Sequence, residues 1–159
     1  MTVAMDAFRV VEGPAGGRAG FRVVAGRSDG LSRLLLVIGH LPAGDHGPMH
    51  LHRGEEILRV IAGELLIRVG DQRKVCSSGD VAIVPPDTLH GFRAHAHTTL
   101  EVIAEHDIGT LFPVRDGHGG RRLVEVFRPD MPWGRRPDDG RWTSDAEMQA
   151  ILAQVGAEV

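Results

Sequence analysis

The sequence has few of the residues that mark disulfide-rich, membrane or nucleic-acid-binding proteins. Among its 159 residues it has one cysteine and no tyrosine, and aromatic residues make up 4%. A lone cysteine, Cys76, excludes an internal disulfide or a cysteine cluster for a metal. No run comes near the roughly 20 apolar residues that a membrane span needs. The net charge of −3 argues against binding driven by phosphate charge. We therefore expect neither nucleic acid nor a membrane as a partner.

The beginning of the chain does not resemble a secretory signal. Asp6 and Arg9 stand where the apolar stretch of such a signal would lie. With 42% hydrophobic and 25% charged residues, the composition is close to that of an average globular domain. The sequence thus predicts one compact domain, which we expect in the cytoplasm.

Short apolar runs separated by turn residues are typical of an all-β protein. Their spacing favours a sandwich or small barrel over alternating strands and helices. The Gly-rich segment 13–20 lacks the Gly-Lys-Ser/Thr ending of a phosphate-binding loop, so we interpret it as a plain connection. The runs of strand length are 8–11, 21–25, 34–41, 57–62, 65–69, 81–84 and 100–104.

The composition changes in the last third of the chain. Gly, Pro, Arg and Asp dominate 116–120 and 129–140, and the apolar run 123–127 between them predicts a last strand. Ser144 followed by Glu147 has the spacing of a helix capping box. We expect an amphipathic helix packed on the barrel or on a second subunit. Its apolar face combines Met148, Ile151, Leu152 and Val155, at i, i+3, i+4 and i+7.

Histidine, by contrast, is abundant, with 9 in 159 residues. Residues 50–56 spell HLHRGEE. Successive side chains of an extended chain alternate between two faces, so His50 and His52 share a face and Glu56 has the same parity. Imidazole and carboxylate groups are suitable ligands for a divalent metal ion. Glu55 has the opposite parity, so Glu56 is the preferred carboxylate.

The spacing around this segment is more specific than the number of histidines. An H-x-H pair alone arises by chance about 0.5 times in such a sequence. Adding the required Glu and two flanking glycines lowers the expectation to about one in a thousand. The full pattern, Gly44, His50, His52, Glu56 and Gly63, resembles the first motif of the cupin superfamily.

A second pattern follows at the short separation typical of compact cupins. Gly79, Pro85 and His90 resemble the second cupin motif, although Asp87 replaces a usual glycine and Ala94 a usual asparagine. The resemblance covers residues 34–104. It implies a small single-domain, type-2 cupin, that is, a double-stranded β-helix or jelly-roll barrel. The metal ligands it implies are His50, His52, Glu56 and His90.

On this basis we divide the chain into four parts. Residues 1–30 hold N-terminal strands and the Gly-rich loop, and residues 31–112 form the barrel core. Residues 113–143 form an irregular extension with a last strand. Residues 144–159 form the C-terminal helix.

The implied ligand set leaves open coordination positions on one divalent ion, which a substrate and O₂ require. Iron, manganese, nickel or cobalt suit such a site, and zinc or copper remain compatible. We expect an oxygenase or dioxygenase acting on a small metal-chelating organic substrate. Two alternatives stay open: a Lewis-acid isomerase or polyketide-type cyclase, and a non-catalytic small-molecule-binding cupin.

Several further residues carry weaker expectations. His40 has the parity of Leu36 and Ile38, so it could face the barrel interior as an acid/base beside the ligands, or serve as a hydrogen-bonded core residue. Trp133 and Trp142 are expected to fasten the extension to the barrel, with capping of an aromatic substrate as the alternative. Small cupins pair, so we expect a homodimer. Expected pocket residues, each equally suited to ordinary core, are Met49, Leu58 and Phe92. Histidines expected to face solvent are His95, His97, His106 and His118.

Overall fold

The computed structural model describes residues 20–131 and 133–155, and this part of the chain contains eleven strands and one α-helix. The predicted strand 8–11 and most of the Gly-rich segment lie outside the described residues. No described helix has the length and apolar character to cross a membrane. The strands are β1 (Gly20–Ala25), β2 (Leu34–Leu41), β3 (His46–His50), β4 (Glu56–Ala62), β5 (Glu64–Val69), β6 (Gln72–Ser77), β7 (Val81–Val84), β8 (His90–Ala94), β9 (Thr98–Glu105), β10 (Thr110–Arg115) and β11 (Arg121–Val126); the helix is α1 (Asp145–Val155).

Two antiparallel sheets form the barrel. One has the strand order β1-β2-β9-β4-β7 and the other β3-β8-β5-β6. Val37 and Leu58 from the first sheet and Leu65 and Ile67 from the second belong to one buried cluster, so the sheets pack face to face. The non-consecutive strand order is that of a jelly roll. The predicted all-β jelly-roll barrel with a short C-terminal helix is confirmed.

Alternation along β2 decides which residues point into the barrel. Leu35, Val37 and Leu41 are buried, so the odd-numbered side chains face inward. His40 therefore lies on the outer face, with its Nδ1 3.4 Å from Oγ1 of Thr99 on β9. The expectation that His40 faces the interior is wrong because β2 is apolar on both faces, so sequence parity could not identify the inner one.

A second, smaller core lies between the barrel and the C-terminal segment. Strands β10 and β11 form a two-stranded sheet, and β10 is tied to the end of β3 by the pair Leu51–Leu111. Helix α1 packs on β10 and β3. The buried side chains of this core are Met49, Phe112, Val114, Val126 and Val155.

The start of α1 confirms the predicted capping box. The Glu147 N–H donates to Ser144 Oγ at 3.1 Å, and the Ser144 N–H donates to Glu147 Oε2 at 2.8 Å. Two backbone donors that the first helical turn leaves unpaired are thereby satisfied. The helix packs on the barrel of its own chain, one of the two arrangements expected.

Candidate metal centre

An irregularity in β3 turns His50 into the barrel. Gly47 pairs with Phe92 and His50 pairs with His90, so β3 has one residue more than β8 between the two pairs. Such a bulge reverses the alternation of side chains along the strand. His50 consequently faces the interior, whereas Met49 points to the second core and is 1% exposed.

Three histidines converge at this point. His50 and His90 have ring centroids 4.4 Å apart, and those of His52 and His90 are 4.7 Å apart. One ring nitrogen from each lies within 4.8 Å of the others. His52 and His90 are each 1% exposed, and His50 is half-buried. These three side chains could bind a metal ion.

The ring orientation of each histidine is fixed by a nearby backbone carbonyl. A carbonyl oxygen only accepts, so each Nδ1 carries the proton and donates it. Each Nε2 is then the nitrogen left for a ligand, an arrangement typical of metal-binding histidines. The three contacts are His50 Nδ1 to Pro48 O at 2.8 Å, His52 Nδ1 to Gly54 O at 2.9 Å and His90 Nδ1 to Thr88 O at 2.8 Å.

Glu56, the first residue of β4, adds a carboxylate to the cluster. Its Oε2 lies 2.9 Å from His52 Nε2 and its Oε1 lies 3.8 Å from His90 Nε2. Glu56 is 7% exposed. Glu55 is exposed, as expected from the alternation.

Burial and the carboxylate together set the protonation of the cluster. Burial lowers the pKa of His50, and it lowers the pKa of His90 to about 3. Burial also acts to lower the pKa of His52. The hydrogen bond with Glu56 and the charge of that carboxylate outweigh burial, so the pKa of His52 is raised overall. Burial acts to raise the pKa of Glu56, but the hydrogen bond from His52 and the nearby histidines lower it overall. Burial therefore favours the neutral form of His50 and His90, whereas the contact between His52 and Glu56 favours a protonated His52 and an ionised Glu56.

The residues present fit a divalent ion. His90 Nε2 is buried and has no hydrogen-bond partner within the described chain. A buried polar atom without a partner costs free energy, which coordination to a cation removes. Imidazole nitrogens with a carboxylate oxygen form a donor set that suits iron, manganese, cobalt, nickel, zinc and copper.

The turn before His90 has Asp87 at the position where the motif usually has glycine. Asp87 has a φ of 55°, a left-handed conformation that aspartate tolerates better than most residues. Its N–H donates to the His52 carbonyl at 2.8 Å. The substituted turn therefore ties the two histidine-bearing segments together.

A cavity of about 570 Å³ opens beside His50 and Glu56. Of the three expected pocket residues, Phe92 lines it. Leu58 is fully buried in the main core, and Met49 lies in the second core. The expectation for Leu58 and Met49 is thus corrected to core packing. His46, at the start of β3, also lines the cavity.

Sequence reasoning missed several residues of the cavity wall, most of which lie outside the motifs. Trp133 was expected mainly to fasten the extension, yet it lines this cavity. Away from the cavity, His106 was expected to face solvent, but its side chain is 7% exposed and contacts Asp107 at 3.1 Å. The lining residues not predicted from sequence are Phe21, Val23, Gly47, Pro48, Val102, Thr110, Phe112, Pro129, Asp130 and Met131.

Part of the chain is similar to a known protein family. Residues 37–105 match the family model of the cupin domain. Over 76 residues, 46% of this chain, the sequence is 36% identical to quercetin 2,3-dioxygenase of Bacillus subtilis (strain 168). The match spans only 22% of that protein's length. Residues 37–105 are therefore similar to a cupin domain.

Two solved structures share the fold. KdgF from Halomonas sp. has a TM-score of 0.50 and 22% identity, covering 54% of this chain and 76% of that one. The polyketide cyclase RemF from Streptomyces resistomycificus has a TM-score of 0.50 and 20% identity, covering 71% of this chain and 74% of that one. At these identities the likeness shows a common jelly-roll architecture.

Proposed function

We propose that this protein is a metal-dependent cupin oxygenase that acts on a small, metal-chelating organic substrate. One observation carries the proposal: one ring nitrogen from each of His50, His52 and His90 lies within 4.8 Å of the others, and a backbone carbonyl holds each Nδ1. The site lies beside a cavity large enough for a small organic molecule.

Each member of the cluster has a distinct role in this proposal. His50, His52 and His90 would hold one divalent ion through Nε2, and Glu56 would supply a carboxylate oxygen and offset the positive charge. The bound ion would supply Lewis acidity and electron transfer between a chelated substrate and O₂. The apolar side chains around the cavity exclude water from the reacting groups.

The sequence relative supports oxygen chemistry. Over 76 residues the chain is 36% identical to quercetin 2,3-dioxygenase, whereas its likeness to the polyketide cyclase, at 20% identity, is one of fold. A Lewis-acid isomerase or cyclase would also need a protein base, and His40, the base expected from sequence, lies on the outer face of β2. The oxygenase is therefore the favoured function.

Metal content tests the site. After loading with Fe(II), Mn(II), Co(II), Ni(II), Zn(II) or Cu(II) and desalting, we expect about one equivalent per chain by elemental analysis. The double variant His50→Ala/His52→Ala should retain less than about a tenth of an equivalent, because two of three imidazoles are lost. His97→Ala is the matched control, since His97 is exposed and outside the cluster. Less than about a tenth of an equivalent in the loaded wild-type protein would refute the site.

Oxygen uptake tests the reaction. Catechol and quercetin are added anaerobically to the Fe(II) or Ni(II) form, O₂ is then admitted, and its consumption is followed with an electrode. Consumption in step with loss of the substrate absorbance is expected. Turnover that proceeds equally without O₂ would favour the Lewis-acid enzyme, and binding without turnover would favour a non-catalytic binding protein.

We also propose that two copies pair through the outer face of the five-stranded sheet. Leu36, Ile103, Ile57 and Ile83 are successive cross-strand neighbours, which form an apolar row over four strands. Ile83 is 70% exposed and Ile57 is 37% exposed. An exposed apolar row of this kind is suited to a second copy of itself.

A further inference from the structure

The few aromatic residues of this protein are concentrated around one cavity. The sequence has five Phe and two Trp. Three of the Phe and one Trp line the cavity beside the histidine cluster: Phe21, Phe92, Phe112 and Trp133. Four of seven aromatic residues therefore surround a single space.

Glycines hold two of these rings in place. A Cβ at residue 39 would lie 2.5 Å from the Phe21 ring, and a Cβ at residue 47 would lie 2.6 Å from the Phe92 ring. Each ring thus lies directly over a strand backbone that only glycine leaves free. Phe21 packs edge-on against Trp133, with centroids 6.4 Å apart at 85°, and against Phe92 at 6.1 Å. The result is a wall of aromatic rings in fixed orientation.

Two polar atoms in the same wall have no partner within the described chain. They are the hydroxyl of Thr110, a residue 1% exposed, and the indole Nε1 of Trp133. Both residues line the cavity. An unpaired buried donor costs free energy, so a ligand oxygen would be favoured at these atoms once the surrounding side chains move to admit it.

The charges around the cavity limit what the ligand can be. No Lys or Arg is among its described lining residues. Its two carboxylates already have partners, since Asp130 pairs with Arg128 at 3.1 Å and Glu56 with His52 at 2.9 Å. Apart from the imidazole of His46, anionic oxygens of a ligand would therefore find a cation at the histidine cluster, while the rest of the ligand contacts rings and apolar side chains.

We propose that the ligand of this cavity is a planar aromatic compound with two adjacent oxygens, and that Phe21 and Trp133 select it by ring contact. The adjacent oxygens lie towards the histidine cluster, so this inference rests on the proposed metal site. Trp133 is a specificity-determining residue in this account, and it belongs to the segment after β11 rather than to the cupin motifs.

Two probes with the same chelating group test the selection. Catechol and 2,3-dihydroxynaphthalene differ by one fused ring, and Zn(II)-loaded protein binds without redox turnover. By titration calorimetry we expect wild-type protein to bind the naphthalenediol about tenfold more tightly than catechol, as one additional ring contact warrants. Trp133→Leu should abolish this difference and leave the Kd of catechol within about twofold. Trp133→Phe, which keeps a ring, should preserve most of it.

Trp142 provides the matched control. It is 39% exposed and does not line this cavity, so Trp142→Leu should bind both probes as wild type does. In Trp142→Phe protein the emission comes from Trp133 alone, and the naphthalenediol should quench it with the Kd found by calorimetry. Equal affinity for the two probes in wild type, an unchanged difference in Trp133→Leu, or no quenching would each overturn the inference.

The outcome separates this inference from the proposed reaction. Zinc loading measured by elemental analysis shows whether the metal site exists. If binding depends on the number of rings but the iron form takes up no O₂, the oxygenase proposal is refuted and the proposal of an aromatic ligand is supported. Acetylacetone is a chelator without an aromatic ring. If it supports O₂ uptake and the two diols bind equally, the oxygenase proposal is supported and selection of an aromatic ligand is refuted.

Discussion

Each histidine of the cluster is oriented by a carbonyl within two residues of it along the chain. Pro48, Gly54 and Thr88 supply these carbonyls. Ring orientation therefore depends on local backbone rather than on distant side chains. Glu56 is different, because its carboxylate is positioned by β4 and contacts His52 and His90 directly.

Replacing Glu56 by Gln should reverse the direction of the pKa shift of His52. In the metal-free protein that pKa is raised above 6.5 by the carboxylate, against the opposing effect of burial. With a neutral amide, burial acts without the carboxylate charge to oppose it, and the pKa of His52 should fall below 6.5. A pH titration of metal-free, histidine-labelled protein by NMR measures the shift.

Glu55→Gln is the control for this experiment, because Glu55 is exposed one residue away.

The directions of the two pKa shifts also determine the pH range in which each group stabilises the fold. The raised pKa of His52 stabilises the metal-free fold below pH 6.5 and this stabilisation is lost as the pH rises through the folded value. The lowered pKa of Glu56 stabilises above pH 4.5 and this is lost as the pH falls through its folded value. If the pKa of His52 stays above 6.5 in Glu56→Gln protein, the Glu56 carboxylate is not the group that raises it.

At the scale of elements, the turn between β4 and β5 depends on a single glycine. Gly63 has a φ of +89°, and a Cβ there would lie 2.2 Å from the His97 carbonyl oxygen. Gly44 has a similar φ of +91°, but a Cβ there meets nothing within 4 Å. The two positions thus share the same backbone strain and differ in available space.

Alanine at these two positions should separate strain from steric clash. Gly44→Ala should lower the free energy of unfolding by about 1–2 kcal/mol, the cost of a left-handed conformation. Gly63→Ala should cost at least about 2 kcal/mol more, because the backbone must also move away from His97. Urea unfolding measures both. Equal midpoints for the two variants would show that the turn adapts without penalty.

The strands that could be predicted from sequence are those with apolar, β-branched runs, such as β2 and β4. The structure adds β3, β6, β8 and β10, whose sequences are rich in Gly, His, Pro or charge. Pairing with neighbouring strands outweighs local propensity in these elements. Pro113 can occupy β10 because, opposite β11, this strand is paired in the described chain through the single bridge Leu51–Leu111, which leaves residue 113 without a ladder partner on that edge.

For the whole molecule, the proposed pairing predicts a dimer that one charge disrupts. Ile83→Lys, on the exposed apolar row, should convert a dimer into a monomer in light scattering coupled to size-exclusion chromatography. Burying an unpaired lysine in an apolar interface is costly. Val75→Lys is the control, since Val75 is 46% exposed on the other sheet. A wild-type protein that is monomeric at all concentrations would exclude this interface.

Which residues of the site can be predicted from sequence depends on whether they lie within the motifs. His50, His52, Glu56 and His90 have a fixed spacing within the motifs, so the sequence alone could name them. The cavity wall has no such pattern, because Phe21 and Trp133 are brought together only by the folded chain. The bulge in β3, which decides between His50 and Met49, also leaves no periodic trace in the sequence.

Most of the aromatic wall lies outside the stretch that holds the histidines, and Phe92 is the one wall ring within residues 37–105. The histidines and Glu56 lie within residues 37–105, which match the cupin domain, whereas Phe21, Phe112 and Trp133 lie before or after it. The residues proposed to bind the metal and most of those proposed to select the ligand can therefore be exchanged separately. A chimaera with the segments before and after residues 37–105 taken from another protein of this fold would keep the same donor atoms and acquire a different cavity wall. These segments are therefore the natural place for this protein to diverge in substrate.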